Sequence, residues 1–169
     1  HLRRLTGERH VEHAGTLDPA ATGVLVVCLG NATRLVEYLA ELTKHYVALI
    51  RFGVETDTWD SEGQVVEEHG TTGLSLDGVS SLLMQFQGDI DQVPPMYSAL
   101  KRDGTPLYTL ARRGETVERS PRRVTIHSLA VRRWTSPDLE LEVVCSKGTY
   151  IRSLAHDLGR AAGTGAYLA

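Results

Sequence analysis

Cysteine is scarce in this sequence, and so are long apolar runs. Two of the 169 residues are cysteines, Cys28 and Cys145, and both lie in apolar stretches typical of strands. Two cysteines allow a structural disulfide, but buried free thiols in a cytosolic protein are favoured. No apolar run approaches the roughly 18 residues that a membrane-spanning helix needs. The sequence therefore predicts a cytoplasmic globular chain with no membrane contact.

Signatures of the common phosphate and metal sites are also missing. There is no Walker phosphate loop, no G-x-G-x-x-G and no H-E-x-x-H. The stretch H-V-E-H, which contains His10, Glu12 and His13, resembles the start of the zinc deaminase H-x-E signature. That chemistry also needs a P-C-x-x-C, which Cys28 and Cys145 cannot supply. No metal site is predicted.

Lysine and arginine are absent from Phe52 to Leu100, where nine acids lie, and are concentrated in the segment that follows. The net charge of −3 therefore hides a local positive segment. Nine bases lie there: Lys101, Arg102, Arg112, Arg113, Arg119, Arg122, Arg123, Arg132 and Arg133. Phosphate attraction acts within a Debye length of about 10 Å, so such a segment can bind a polyanion in a negative protein. A solvated charged surface is the alternative.

Strand and helix patterns alternate irregularly along the chain. Val24–Leu29 is a continuous apolar run that predicts a buried strand, and His45–Phe52 is rich in strand-forming residues. Apolar side chains recur at helical spacing over Ser75–Gln87. Leu139–Cys145 alternates between apolar and mostly polar positions. The pattern predicts an α+β fold with a mixed, largely antiparallel sheet and flanking helices.

A lone carboxylate lies in the constrained loop H-A-G-T-L-D-P-A-A-T-G. Pro19 disfavours helical geometry at Asp18 and holds it extended. Elsewhere the chain offers Tyr46, Tyr150 and Arg152, which could supply a stacking surface and a guanidinium partner. These residue types suit covalent or acid–base work on a nucleoside. The alternative is structural: an Asx-turn at Asp18, core tyrosines and a surface ion pair of Arg152.

Five segments, in order, resemble the TruB-type tRNA pseudouridine synthases, in the bacterial stand-alone form. The first is H-A-G-T-L-D-P-A-A-T-G-V-L-V-V-C-L-G-N-A-T-R-L, whose aspartate is catalytic in that family. The others cover residues 44–65, 92–115, 122–129 and 145–159. The resemblance implies the pseudouridine synthase fold. It also implies conversion of the uridine at position 55, in the T loop of tRNA, into pseudouridine, without metal or organic cofactor.

The resemblance assigns roles residue by residue. Asp18 would be the nucleophile or charge-stabilising carboxylate, and Arg152 would pair with it. Tyr46 would pack on the base and help to remove the C5 proton, and Tyr150 would support the base pocket. His13 would stack within the T loop and help to hold it open while the target uridine is flipped out.

A thumb-like insertion over residues 93–114 would close on the RNA. Its bases Lys101, Arg112 and Arg113 would bind phosphates, while loop shape would supply selectivity. The expected partner is the T arm and loop of tRNA, with no guide RNA, and we expect a monomer. Residues 1–169 would form one catalytic domain that is incomplete at both ends and lacks the family's C-terminal RNA-binding domain.

Two other functions stay open. The basic segment would also suit a non-catalytic RNA-binding or tRNA-folding module, whose binding would depend steeply on salt. A glycosidase-like hydrolase would need a second carboxylate to work with Asp18, and no comparable loop supplies one.

Overall fold

Two units make up the chain, residues 1–43 and 44–169, in a computed structural model that describes residues 1–102 and 104–169. The first unit contains a two-stranded antiparallel sheet and short helices. Its elements are helix α1 (Leu2–Thr6), strand β1 (Val11–His13), strand β2 (Val27–Leu29), a 3₁₀ helix (Gly30–Leu35) and helix α2 (Val36–Glu41). In the register of the pair, His13 lies opposite Val27.

The apolar run after the opening loop is less buried than its sequence predicts. Only Val27–Leu29 forms a strand, and Cys28 is its one buried residue. Val24 is 92% exposed and Val26 is 47% exposed. The prediction of a buried strand over Val24–Leu29 is therefore wrong for its first three residues, because β2 pairs only with the three residues of β1.

The second unit is built around a curved sheet. Its elements are strands β3 (Lys44–Phe52), β4 (Val54–Thr56) and β5 (Val65–Glu68), helix α3 (Leu76–Leu83), a 3₁₀ helix (Met84–Phe86), strands β6 (Gly88–Gln92), β7 (Lys101–Arg102) and β8 (Thr105–Pro106), helix α4 (Leu107–Ala111), strands β9 (Arg122–Thr135) and β10 (Asp138–Cys145), helix α5 (Ile151–Ala161) and strand β11 (Ala166–Leu168).

Five strands form the main sheet in the order β11-β3-β10-β9-β6, and every neighbouring pair is antiparallel. A parallel bridge joins Asp60 to Leu168 outside the named strands. Two short hairpins, β4 with β5 and β7 with β8, complete the strand pairing among the described residues. The predicted α+β class with a largely antiparallel sheet is confirmed.

One face of the sheet and two helices enclose the core. On the central strand β10, Leu139, Leu141 and Val143 are fully buried, whereas Glu140 and Glu142 point to the other face. This alternation follows from the two-residue period of a strand. Helices α3 and α5 cover the buried face with Val79, Leu83, Leu154, Ala155 and Leu158. Each such large apolar side chain contributes about 1.5 to 3 kcal/mol on full burial.

Both cysteine thiols are free and buried, as the sequence favours. Burial raises the pKa of the Cys145 thiol. Within residues 1–102 and 104–169, no helix has the length and apolarity needed to cross a bilayer.

Candidate active site

Asp18 lies in the loop that connects β1 to β2 in the first unit. Its carbonyl accepts a hydrogen bond from the Ala21 amide at 2.9 Å, which closes a turn with Pro19 at the second position. Asp at the first and Pro at the second position are the residues that such a turn favours. The sequence therefore sets the loop backbone around a half-buried carboxylate.

His13 ends β1 at the start of the same loop. Its side chain is exposed, and its Nδ1 makes a hydrogen bond with the Gly15 carbonyl. The Ala14 amide donates to the Val26 carbonyl at 3.0 Å, so the two arms of the loop are joined just beyond the strands. The His13 imidazole is therefore accessible to solvent, while hydrogen bonds hold the backbone on either side of the loop.

Tyr46 belongs to β3 in the second unit. It lies opposite Val143 and shares the inner face of the strand with Ala48 and Ile50. Those two residues are buried, whereas Tyr46 is partly buried and packs against the edge of the core. The ring therefore lies where the apolar face of the sheet gives way to solvent.

Arg152 is buried in the first turn of α5, with 6% of its surface exposed. Its Nη1 lies 3.2 Å from Oδ2 of Asp60, and its Nη2 donates to the Tyr97 carbonyl at 3.0 Å. The structural alternative of a surface ion pair for Arg152 is wrong, because the guanidinium and the Asp60 carboxylate are both removed from solvent. A fixed guanidinium of this kind can orient a carboxylate or a substrate oxygen.

Asp60, the ion-pair partner of Arg152, was not predicted as a site residue from the sequence. It lies in the turn between β4 and β5, where its Oδ1 accepts hydrogen bonds from the Thr58 hydroxyl and the Glu62 amide. These local bonds leave Oδ2 directed at Arg152. In the sequence Asp60 is one of nine acids in an acidic stretch. The one available signal is the run D-T-W-D-S-E-G, whose composition predicts a turn organised by aspartate side chains.

Tyr150 caps the start of α5 and is held through its backbone. Its amide donates to Oε1 of Gln92 at 3.0 Å, and its carbonyl accepts from Nε2 of the same side chain at 3.2 Å. The Ser153 hydroxyl donates to the Val93 carbonyl at 2.8 Å. The start of α5 is therefore fastened to the residues where the predicted thumb segment begins.

The thumb segment, residues 93–114, contains the β7–β8 hairpin and helix α4. Pro106 precedes α4 and has an extended backbone, so the helix begins at Leu107. Lys101, Arg112 and Arg113 are exposed, and none of them forms an ion pair with another described residue. The Arg112 guanidinium lies 5.6 Å from the centre of the Tyr108 ring.

The bases of the positive segment differ in whether the fold pairs them with carboxylates. Arg123 pairs with Asp89, and Arg132 and Arg133 reach Glu140 across the strand pair. Carboxylates from other elements thus neutralise the distal part of the segment. The thumb bases Lys101, Arg112 and Arg113, together with Arg122, stay exposed and available to an anionic partner.

The structure divides the predicted site residues between the two units. Asp18 and His13 belong to the first. Tyr46, Tyr150, Arg152 and the thumb bases belong to the second, where Gln92, Val93 and Tyr97 bind the start of α5 directly. The roles assigned to these residues stay predictions.

Comparison with known proteins places these features in a family. The model of the TruB family pseudouridylate synthase (N terminal domain) matches residues 3–151. The tRNA pseudouridine synthase B of Dehalococcoides mccartyi is 51% identical over 167 residues, which are 99% of this chain and 56% of that protein. The tRNA pseudouridine synthase B of Gloeobacter violaceus is 53% identical over 172 residues, covering 99% and 59% of the two chains. The chain thus spans little more than half the length of these relatives.

Solved structures share the fold. A chain of a Cbf5-Nop10-Gar1 complex superposes with a TM-score of 0.73 at 30% identity, over 99% of this chain and 40% of that one. A chain of an H/ACA RNP bound to a substrate RNA containing 2′-deoxyuridine gives a TM-score of 0.69 at 26% identity, over 99% and 39%. The fold implied by the sequence resemblance is confirmed.

Proposed function

Because this chain belongs to the TruB family of pseudouridylate synthases, we propose that it converts the T-loop uridine at position 55 of tRNA into pseudouridine. The reaction breaks the bond between C1′ and N1, turns the base and joins C1′ to C5, while the C5 proton leaves and N1 regains a proton. No atom is gained or lost overall. The family membership, with relatives about half identical over 99% of the chain, supports this substrate class.

The observation that carries the proposal is the buried Arg152. A guanidinium held by Asp60 and by the Tyr97 carbonyl cannot swing into solvent, and it lies beside the start of the thumb segment. Keeping a buried arginine costs desolvation energy that its partners only partly offset. Such a residue is better explained by use in a site than by stability alone.

Each site residue takes the role that the resemblance implies. Asp18 acts at the sugar–base linkage as nucleophile or charge-stabilising carboxylate, and Arg152 keeps that carboxylate ionised and oriented. Tyr46 packs on the base and assists removal of the C5 proton, and Tyr150 supports the base. His13 stacks within the opened T loop, and the thumb bases bind phosphates.

The proposal is tested with unmodified tRNA, on which pseudouridine is mapped chemically. Asp18→Asn removes the charge with little change in shape, so turnover should fall at least about a thousandfold while tRNA affinity is retained. Asp91→Asn, an exposed aspartate on β6, is the matched control and should behave like the parent chain. Salt-dependent tRNA binding by a parent chain that forms no pseudouridine would instead identify an RNA-binding module. An active Asp18→Asn chain would refute the role of Asp18.

A further inference from the structure

Trp59 occupies an unusual backbone position next to Asp60. Its φ is 63°, in the left-handed region that bulky side chains rarely adopt. Its ring stacks on the imidazole of His156 with ring centres 4.1 Å apart and planes inclined by 13°. A strained residue of this kind persists where the surroundings fix it, so the stack has to be held in place by its neighbours.

The stack and the buried ion pair join the same two elements. Trp59 and Asp60 are adjacent in the turn between β4 and β5, whereas Arg152 and His156 are one helical turn apart on α5. Side chains at that spacing lie on the same face of a helix. The geometry of the Asp60–Arg152 pair, 3.2 Å between Oδ2 and Nη1, therefore depends on how Trp59 is seated against His156.

Arg119 contacts both the Trp59 ring and the start of the thumb segment. Its guanidinium carbon lies 5.5 Å from the centre of the Trp59 ring, and its Nη1 donates to the Pro94 carbonyl at 3.0 Å. Pro94 is fully buried and lies where the thumb segment begins, and Arg119 follows the end of that segment. One side chain thus connects both ends of the thumb segment with the ring beside Asp60.

Stability alone does not account for Arg119. Its Nε is buried without a hydrogen-bond partner, and no carboxylate within residues 1–102 or 104–169 forms an ion pair with it. Burial lowers the pKa of its guanidinium. An incompletely satisfied, partly buried cation is costly, and a cation above an aromatic ring offsets only part of that cost.

We propose that Arg119 is a positioning residue that holds both ends of the thumb segment against Trp59 and so keeps Asp60 in place for Arg152. The catalytic consequence rests on the proposed function, since it assumes that Arg152 acts in the isomerisation. The mechanical part does not, because it concerns contacts within the second unit alone.

The kinetic test compares two substitutions of similar length. Arg119→Met keeps the apolar stem and loses both the charge and the donor, whereas Arg119→Lys keeps a cation and one donor. With unmodified tRNA, kcat of Arg119→Met should fall about 10- to 100-fold with KM little changed, because a displacement near 1 Å at a reacting group has effects of that size. Arg119→Lys should be intermediate. Arg133→Gln, an exposed arginine paired with Glu140, is the charge-loss control and should match the parent.

A spectroscopic readout follows the ring itself. The chain has two tryptophans, and Trp134 packs edge-on against Phe52 in the core, so Trp134→Phe leaves Trp59 as the single reporter. In that background Arg119→Met should increase acrylamide quenching of Trp59 because the ring loses its cover. Quenching equal to that of the Trp134→Phe chain would overturn the proposal.

A double-mutant cycle separates the positioning role from the proposed function. Denaturant midpoints are measured for Arg119→Met, Asp60→Asn and their combination, and the shifts should be clearly non-additive because Arg119 acts on Asp60 through Trp59. In the control cycle, Arg133→Gln replaces Arg119→Met and is combined with Asp60→Asn, and the shifts in denaturant midpoint should be additive. Additive shifts with Asp60, or a parent-like kcat for Arg119→Met in an active chain, would overturn the proposal. Non-additive shifts in a chain that forms no pseudouridine would support the positioning role and refute the function.

Discussion

His156 carries no charge at neutral pH. Burial lowers its pKa from the ordinary 6.5 to about 4, and the nearby cations Arg160 and Arg119 act in the same direction. Glu55 lies 3.3 Å from its Nδ1. Between pH 6.5 and 4 the unfolded chain therefore binds the proton more strongly, so the free energy of unfolding decreases as the pH falls through that window.

Asp157, the next residue, has the opposite effect. Burial raises the pKa of its carboxyl from 3.8 to about 6, against the attraction of Arg160. Between pH 6 and 3.8 the folded chain binds this proton more strongly, so the free energy of unfolding increases as the pH falls. Neighbouring residues of α5 thus offset each other over most of the same pH range.

Replacing either His156 or Asp157 should reveal how the other residue alone makes the free energy of unfolding depend on pH. From pH 7 to 4.5, Asp157→Asn should lose more stability than the parent chain, by an amount of order 1 to 3 kcal/mol, since each unit of pKa shift is worth about 1.4 kcal/mol. His156→Gln should lose less than the parent chain or become more stable. Urea unfolding at several pH values checks both, and pH profiles parallel to that of the parent would contradict the assignment.

At the scale of residues, the sequence predicts candidate catalytic side chains but not the partners with which they pair. Asp18, Tyr46 and Arg152 stand in motifs that the sequence resemblance identifies. The partner of Arg152 could not be predicted, because Asp60 is 92 positions away in sequence and is one of nine similar acids. The left-handed backbone of Trp59 gives no sequence signal either, since the residue that usually marks such positions is glycine.

Helix α5 and strand β11 approach each other closely enough to exclude any side chain at one position. A Cβ on Gly159 would lie 2.1 Å from the Ala166 nitrogen and 2.3 Å from the Gly165 carbonyl carbon. The amides of Thr164 and Gly165 both donate to the Gly159 carbonyl at 3.1 Å. The chain therefore turns back directly against the helix that it has just left.

Gly159→Ala should push β11 away from α5. Both obstructing atoms are backbone, so the clash cannot be relieved by a rotamer change, and we expect a loss of about 2 kcal/mol or more in the free energy of unfolding. Gly70→Ala is the control, because a Cβ there meets nothing within 4 Å. Thermal unfolding of the two variants measures the difference, and equal midpoints would contradict the close approach.

Among elements, strands with a clear period were predicted best. β10 follows its predicted alternation almost residue for residue, because one of its faces is buried in the core. β3 alternates in the same way, although its strand was predicted from composition. The prediction of a buried strand beginning at Val24 was wrong for its first residues. Apolar composition indicates a tendency to be buried, but it does not show which strand is available for pairing. Pro106 pairs with Lys101 in the β7–β8 hairpin and keeps an extended backbone, so α4 begins only at Leu107.

Across the whole molecule, positive charge is available mainly on the thumb segment. Lys101, Arg112 and Arg113 are exposed, whereas Arg123, Arg132 and Arg133 are matched with carboxylates. Composition alone gave a pI of about 6.2 and no indication of this division. The order of charges along the chain predicted a basic segment, but only the folded sheet shows which part of it is neutralised.

A comparison of two triple variants tests that division. Changing Lys101, Arg112 and Arg113 to glutamine should weaken tRNA binding and reduce the slope of log affinity against log salt by about 2 to 3, one released counterion for each lost phosphate contact. The same change at Arg123, Arg132 and Arg133 removes as much charge and should leave the slope nearly unchanged. Equal slopes for the two variants would contradict the assignment.

The order of strands in the sheet also has a consequence for how the protein is made. Strand β3 pairs with β10 through partners such as Arg51 and Asp138, which are 87 residues apart. A ribosome that adds about 5 to 20 residues per second needs roughly 4 to 17 s to cover that distance. During that interval the apolar stretch Y-V-A-L-I has emerged without its neighbouring strand, so we expect it to be a segment of the nascent chain that a chaperone can bind.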